Sequence, residues 1–181
     1  MRTPARPDPS DDRGCRTIRE VMLDIDPLVA LAIATARKSP SRPRKVGAVL
    51  VLADGATTIA ACNDFPAGVQ DLDIRHAHPE RLLWIEHAER NAIFTAARGG
   101  LGTAGATLIA TFHPCADCAR AIVQAGIATL HTLAPDFDDP LWGEAFQCSR
   151  AILAEGGVRV VYLERDAAAM HAATLGVVPT G

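Results

Sequence analysis

The amino-acid sequence lacks long apolar runs. No stretch reaches the roughly 18 consecutive apolar residues that a membrane-spanning helix needs. The first twenty residues are polar and rich in proline, aspartate and arginine, so they contain no apolar core of a secretory signal. We therefore expect a cytoplasmic protein that does not insert into a membrane.

The sequence also lacks a strong excess of either charge. Its formal net charge is −3, which provides no global field that would attract a nucleic acid polymer. A nucleic acid polymer is therefore not an expected substrate, although a local basic patch is compatible with this composition.

The five cysteines cannot form a complete set of disulfides, because their number is odd. We expect a reduced protein in which closely spaced cysteines bind a metal instead of pairing with each other. Cys115 and Cys118 have the C-x-x-C spacing, which on its own would also fit a redox motif.

The length of 181 residues and the apolar content of 49% are typical of one globular domain with a sizeable core. The sequence contains no internal repeat. We expect a mobile leader over residues 1–22, a metal-binding domain over residues 23–165, and a helix with a loose tail over residues 166–181.

The hydrophobic periodicity predicts the element order α-β-β-α-β-α-β-α-β-α. The first helix is expected to begin with Asp26 as its N-cap and Pro27 in its first turn. Asp54-Gly55 predicts a hairpin between the first two strands, and the later β-α-β-α-β run predicts parallel strands with crossover helices. The expected fold class is α/β, a three-layer α-β-α sandwich around a mixed five-stranded sheet.

Two short stretches carry the residues that bind metals and move protons. His87 and Glu89 lie at the predicted start of one helix, and Cys115 and Cys118 lie at the start of the next. A helix N-terminus favours thiolate, and zinc binds thiolate and imidazole with one coordination position left for water at catalytic sites. A structural zinc site is the alternative, but it usually has four ligands, and His113 is the best candidate for a fourth.

The H-x-E…P-C-x-x-C spacing of these stretches is the signature of zinc deaminases. A zinc ion at His87, Cys115 and Cys118 would make its bound water acidic. Glu89 would carry protons from that water to a ring nitrogen and then to a departing amine. The expected reaction is hydrolysis of a C–N bond in a cyclic amidine, with release of ammonia.

The loop after the first helix contains three cations between prolines, at Arg42, Arg44 and Lys45. It is either a solvated loop or an anion site for a phosphate, because arginine forks match phosphate oxygens. The segment over residues 71–80 contains two histidines and several acids, for which a solvated loop is a better interpretation than a second metal site.

The sequence resembles the cytidine/deoxycytidylate deaminase superfamily, and its deoxycytidylate (dCMP) deaminase branch in particular. The resemblance extends over roughly residues 28–163. It is carried by four segments: residues 46–49 (VGAV), 63–69 (NDFPAGV), 86–93 (EHAERNAI) and 115–119 (CADCA).

The resemblance implies a nucleotide pocket beside the zinc. Asn63 would bind the sugar, and the loop with the three cations would approach the 5′-phosphate. The backbone near Ala88 and the turn at His113 would frame the pyrimidine, and Asn91 would support the phosphate side or pack the helix. Family members are often oligomers, so a homodimer or homohexamer is expected.

Three functions follow in order of preference. The first is zinc-dependent deamination of a cytosine nucleotide, above all dCMP to dUMP. The second is deamination of another amino-heterocycle, because Asp64 and His113 differ from the residues usual in the dCMP branch. The third is a non-catalytic, zinc-folded scaffold.

Overall fold

A computed structural model describes residues 23–164 and 167–175 of the chain. The expected leader and the expected C-terminal tail lie outside these residues. The elements follow the predicted order, with one short helix added: α1 Ile25–Ala36, β1 Gly47–Val51, β2 Thr58–Cys62, α2 Arg81–Trp84, α3 Ala88–Arg98, β3 Thr107–Ala110, α4 Ala116–Gln124, β4 Thr129–Thr132, α5 Gly143–Glu155, β5 Arg159–Tyr162 and α6 Ala167–Thr174.

The five strands form one mixed sheet in the order β2-β1-β3-β4-β5. Strand β1 pairs antiparallel with both β2 and β3, whereas β3, β4 and β5 are parallel to one another. Parallel neighbours need crossover connections, which α4 and α5 supply. The predicted mixed five-stranded sheet is confirmed.

Helices cover both faces of the sheet. Ala48 and Leu50 of β1 belong to the core beneath α3, α4 and α5, whereas Val49 and Val51 belong to the core beneath α1 and α6. This alternation follows from the period of two along a strand. Because both faces are covered, β1 is buried along its whole length and reads as a continuous apolar run.

Several predicted boundaries differ from the observed ones. Helix α1 has Asp24 as its N-cap, so the prediction of Asp26 as N-cap was wrong, and Asp26 lies in the first turn. The sequence predicts that α3 begins at Glu86 and that α4 begins at Cys115. The helices begin at Ala88 and Ala116 instead, so His87 and Cys115 are their N-caps. Helix ends depend on local hydrogen bonds that periodicity does not report.

The long connection between β2 and α3 was expected to be irregular. It contains a 3₁₀ turn, Asp73–His76, and the four-residue helix α2. A two-stranded bridge between Asp64 and Glu86 closes this excursion, with main-chain N···O distances of 3.0 and 2.8 Å. Residues 65–85 therefore form an anchored loop beside the start of α3.

No helix within the described residues is long and apolar enough to cross a membrane.

Candidate active site

The beginnings of α3 and α4 bring three metal-binding side chains together. His87 Nδ1 lies 3.4 Å from Cys118 Sγ and 3.5 Å from Cys115 Sγ, and the donor atoms of all three residues lie within 4.8 Å of one another. Among the residues that the structure describes, no fourth histidine, cysteine or carboxylate joins this group.

These distances fit a tetrahedral zinc ion. With ordinary zinc–sulfur and zinc–nitrogen bond lengths, a sulfur and a nitrogen on the same ion lie about 3.6 Å apart. The observed separations of 3.4 and 3.5 Å agree with that value. Two thiolates and one imidazole also match zinc in ligand softness, so the residues fit the metal that the sequence predicts.

The pKa values of the two cysteine thiols are shifted in opposite directions. A side-chain hydrogen bond from Cys118, together with His87, lowers the pKa of Cys115 to about 4. The same hydrogen bond and burial raise the pKa of Cys118 well above its ordinary value. One thiolate and one thiol therefore face the imidazole, and a metal ion would displace the remaining proton.

Glu89 lies in the first turn of α3, next to this cluster. Its side chain is buried, and burial raises its pKa even though the charge of His87 acts in the opposite direction. For His87, burial would lower the pKa, but the hydrogen bond to Cys115 and the charge of Glu89 raise it. A carboxyl group with a raised pKa is suited to both accepting and donating a proton.

A cavity of about 280 Å³ opens onto the same residues. His87, Glu89 and Cys115 are part of its lining. The walls combine apolar residues from several elements with a few polar ones, the composition expected of a small-molecule site. The remaining residues around the cavity are Ser41, Pro43, Arg44, Val46, Asn63, Arg81, Leu82, Ile85, Ala88, Phe112, His113, Leu141, Trp142 and Phe146.

Of the three cations in the predicted basic loop, Arg44 is the one that lines the cavity. Its guanidinium carbon lies 4.1 Å from the centre of the Phe112 ring, and Nη2 lies 3.9 Å from Asp139 Oδ2. Nη1 is buried and has no hydrogen-bond partner among the described residues. Burial lowers the pKa of Arg44, against the charge of Asp139, yet an arginine stays protonated in proteins.

Arg42 and Lys45 point elsewhere. Arg42 is exposed and pairs with Asp73, and the ammonium of Lys45 donates to the carbonyl of Ser39. Asn91 is also not part of the cavity lining. Its Nδ2 donates to the carbonyl of Cys62 at 2.9 Å. The structure therefore does not bring these three predicted contact residues to the cavity.

Asn63 and Ala88 line the cavity, and their contacts with a sugar and a pyrimidine stay predictions. The side chain of Asn63 is also bonded to the basic loop: Oδ1 accepts from the Val46 amide at 2.8 Å, and Nδ2 donates to the Arg44 carbonyl at 2.9 Å. Asn63 thereby fixes the backbone on both sides of Lys45 and orients Arg44.

His113 lies in the cavity wall and is 3% exposed. Neither ring nitrogen makes a hydrogen bond of ordinary geometry within the described residues, but the Leu133 backbone lies close enough to act on the ring and raise its pKa. The ring centre lies 5.3 Å from that of Phe146 in an edge-to-face arrangement. Burial lowers its pKa to about 4, so the ring is neutral at neutral pH. It is not a member of the metal-binding group.

Arg81 and Trp142 line the cavity although sequence reasoning assigned them no role there. Arg81 begins α2 and places a second guanidinium at the cavity. The Trp142 ring lies 6.2 Å from the His87 ring. No periodic signal marks either residue, since both lie at the edges of irregular connections. Their cationic and aromatic character was the signal available in the sequence.

The fold and this constellation define a class of α/β proteins in which a Cys₂His metal site and a buried carboxyl group share one cavity. Residues 23–134 match the family model described as the cytidine and deoxycytidylate deaminase zinc-binding region. The chain belongs to this family.

Individual proteins similar to this chain carry deaminase names. It is 32% identical over 132 residues to an uncharacterized deaminase in the luxG 3′ region of Aliivibrio fischeri, a match that covers 71% of this chain and 84% of that protein. It is 43% identical over 88 residues to the deoxycytidylate deaminase of Enterobacteria phage T2, covering 48% of this chain and 43% of that protein. The chain therefore spans less than half the length of this phage relative.

A solved structure shows the same fold. The dCMP deaminase of cyanophage S-TIM5, solved with dCMP and dUMP, superimposes with a TM-score of 0.61 at 23% sequence identity. The match covers 76% of this chain and 94% of the cyanophage chain. The predicted cytidine deaminase-like architecture is thereby confirmed.

Proposed function

We propose that the protein is a zinc-dependent deaminase of a cytosine nucleotide, with dCMP as the preferred substrate and dUMP and ammonia as products. The observation that carries this proposal is the position of Glu89. A buried carboxyl group with a raised pKa lies beside a Cys₂His donor set, in a cavity that also includes two guanidinium groups.

Glu89 has two proton transfers to perform. Hydrolysis adds water to the ring carbon that carries the amine, so one proton goes from the water to the ring nitrogen and another reaches the departing ammonia. A zinc ion held by His87, Cys115 and Cys118 would supply the Lewis acid that makes water a nucleophile at neutral pH. Burial keeps the pKa of Glu89 raised, which suits a group that must first accept a proton and then donate it.

Arg44 and Arg81 support a phosphate at the other end of the substrate. Both residues line the cavity, and the charge of Arg81 lowers the pKa of Arg44, so the two cations repel each other. Arg44 also has a buried Nη1 that has no hydrogen-bond partner among the residues the structure describes. A phosphate would relieve the repulsion and accept from that N–H group.

The choice of dCMP also rests on the relatives. The phage T2 protein is named a deoxycytidylate deaminase, and its similarity to this chain is 43% over the matched 88 residues. A cavity of about 280 Å³ lies near the lower end of the range for small-molecule sites, which favours one mononucleotide over an oligomeric substrate.

The proposal is tested by measuring ammonia release from purified, zinc-loaded protein. The panel contains dCMP, CMP, deoxycytidine, cytidine, cytosine and dCTP. We expect the highest kcat/KM for dCMP and a clear loss for the nucleosides that lack the phosphate. Absence of ammonia release from dCMP and CMP alike would remove the proposal.

The Glu89→Gln variant separates catalysis from folding. Removal of a general acid–base group typically costs about 10²- to 10⁴-fold in rate, while the zinc content and the unfolding temperature should stay close to those of the unaltered protein. The matched control is Glu144→Gln, which changes an exposed carboxylate on α5. Wild-type activity in the Glu89→Gln variant would show that Glu89 is not the proton carrier, whereas an unaltered protein that binds zinc but releases no ammonia would favour the non-catalytic scaffold.

The buried ring of His113 favours a second candidate, deamination of another amino-heterocycle, because neither ring nitrogen has a hydrogen bond of ordinary geometry within the described residues. A buried polar group without a partner costs free energy, and a substrate with a complementary ring atom would satisfy it. Asp64, the other residue that raised this alternative, binds the Phe65 amide at 2.7 Å and is not part of the cavity lining. Adding other aminopyrimidine and aminopurine compounds to the panel distinguishes the two candidates.

A further inference from the structure

Arg90 bridges two acidic residues that belong to different segments. Arg90 lies in the first turn of α3. Its Nε and Nη2 atoms lie 2.6 and 2.5 Å from Glu86 Oε1. Its Nη1 lies 3.6 Å from Asp117 Oδ2, at the start of α4. The Arg90 and Glu86 side chains are each 22% exposed, so their pair is more shielded from water than an ordinary surface ion pair, whereas the Asp117 side chain is 56% exposed.

Each of these acids is adjacent to a metal-binding residue. Glu86 precedes His87, and its Oε1 also accepts from the His87 amide at 2.9 Å. The main chain of Glu86 is fixed in turn by its bridge to Asp64. Asp117 lies between Cys115 and Cys118 in the first turn of α4. Arg90 therefore connects the segment that presents the imidazole to the segment that presents both sulfurs.

Arg90 also lies within the electrostatic field of the sulfurs. Burial alone would lower its pKa, but the charges of Cys118, Glu86 and Cys115 raise it. Both sulfurs would be thiolates with a metal bound, and the nearby cation would offset part of the negative charge that they concentrate at this point.

We propose that Arg90 is a positioning residue that ties the start of α3 to the start of α4 and holds His87, Cys115 and Cys118 at metal-binding distance. The inference rests on the zinc site of the proposed function. Arg90 itself is not a ligand. Partners outside the ligand set that orient metal ligands typically contribute about 10- to 100-fold to metal affinity.

The experiment compares zinc affinity in the full chain with and without this bridge, by competition with a chromophoric chelator. Arg90→Ala should weaken zinc binding about 10-fold or more. The matched control is Arg120→Ala. Arg120 pairs with the same Asp117, but from within α4 and with a 60% exposed side chain, so its removal leaves the link between α3 and α4 intact and should change zinc affinity less than about twofold.

Two further variants test the geometry. Asp117→Asn removes the partner on α4 without changing side-chain volume, and it covers the case in which Arg90→Ala does not fold. Its zinc affinity should fall in the same direction. Arg90→Lys keeps the charge but loses the planar fork that reaches two carboxylates at once, so it should recover only part of the lost affinity.

A spectroscopic readout that does not depend on enzymatic activity accompanies these measurements. Cobalt(II) bound to two thiolates and one imidazole gives visible bands that report tetrahedral geometry. In Arg90→Ala these bands should shift or weaken, whereas they should be unchanged in Arg120→Ala. Zinc affinity and cobalt spectra in Arg90→Ala equal to those of the unaltered protein would overturn the proposal, as would an equal loss in Arg120→Ala.

The unaltered protein provides the test of the underlying site. If it does not bind zinc, the zinc-dependent function fails together with this inference. If it binds zinc tightly and Arg90→Ala and Asp117→Asn do so equally, only the positioning role of Arg90 is wrong.

Discussion

At the scale of single residues, Arg42 and Arg44 show that neighbours in one basic loop can have different roles. Arg44 lines the cavity with its guanidinium over Phe112, whereas Arg42 pairs with Asp73 on the surface. Arg81 reaches the same cavity from a different loop. The free energy of nucleotide binding should therefore depend on Arg44 and Arg81 and not on Arg42.

We expect Arg44→Ala and Arg81→Ala each to lower kcat/KM for dCMP by roughly 10- to 100-fold, because a hydrogen bond to a charged group contributes about 1.5–3 kcal/mol. The values for deoxycytidine, which has no phosphate, should change by less than about threefold. Steady-state kinetics with both substrates check this result, with Arg42→Ala as the control from the same loop. Equal losses for nucleotide and nucleoside would contradict a phosphate contact.

Sequence patterns restricted the residues for metal and proton chemistry more closely than those for the phosphate. His87, Glu89, Cys115 and Cys118 were predicted because that chemistry limits both residue type and spacing. The structure places the donor atoms of His87, Cys115 and Cys118 within 4.8 Å of one another and Glu89 within reach of their charges, and the roles of the four residues stay predictions. The phosphate end is different, since any nearby cation could serve. Which cations reach the cavity depends on the paths of two loops, the one between α1 and β1 and the one between β2 and α3. No local sequence pattern reports these paths.

At the scale of secondary-structure elements, the close approach of β1 to α1 depends on Gly47. A Cβ atom at this position would lie 2.1 Å from the Ala32 carbonyl oxygen and 2.7 Å from the Ala36 amide nitrogen. Both are backbone atoms, which cannot move aside as a flexible side chain can. The sequence identified Gly47 as part of a strand, but its close contact with a helix required the structure.

Gly47→Ala should lower the free energy of unfolding by about 3 kcal/mol or more, as overpacking does in a well-packed core. For a protein of this size that is a fall of roughly 6–12 °C in unfolding temperature, which calorimetry or circular dichroism can measure. Gly102→Ala is the matched control, because a Cβ there meets no atom within 4 Å. Similar stability of the two variants would show that β1 and α1 separate at little cost.

The pairing of elements was more predictable than their ends. Asp54-Gly55 identified the first hairpin, and Gly55 indeed has a φ of 70° while Asp54 Oδ1 accepts from the amides of Ala56 and Thr57. The parallel strands followed from the alternation of strands and helices. The starts of α1, α3 and α4 were misplaced by one or two residues, since a cap is fixed by dihedral angles that residue type only biases.

At the scale of the whole molecule, a metal at this site would couple two distant segments of the chain. His87 and Cys118 are 31 residues apart in sequence, yet their donor atoms lie 3.4 Å apart. An ion that binds the folded but not the unfolded chain stabilises the fold by an amount set by its free concentration and dissociation constant. Zinc should therefore raise the unfolding temperature, and Cys118→Ser should abolish the rise.

This zinc-dependent stabilisation should increase with pH. In the metal-free cluster the pKa of Cys118 is raised well above its ordinary value, so its thiol is protonated at pH 6 and still at pH 8. Zinc binds the thiolate, and at least one proton must therefore leave for each ion bound. Loss of one proton raises the affinity about tenfold per pH unit, so the stabilisation at saturating, buffered free zinc should be at least about 2.7 kcal/mol greater at pH 8 than at pH 6. Thermal unfolding with zinc and with chelator at each pH isolates this difference from the pH dependence of the metal-free fold. Equal stabilisation at the two pH values would show that zinc does not displace a proton from the Cys118 thiol when it binds.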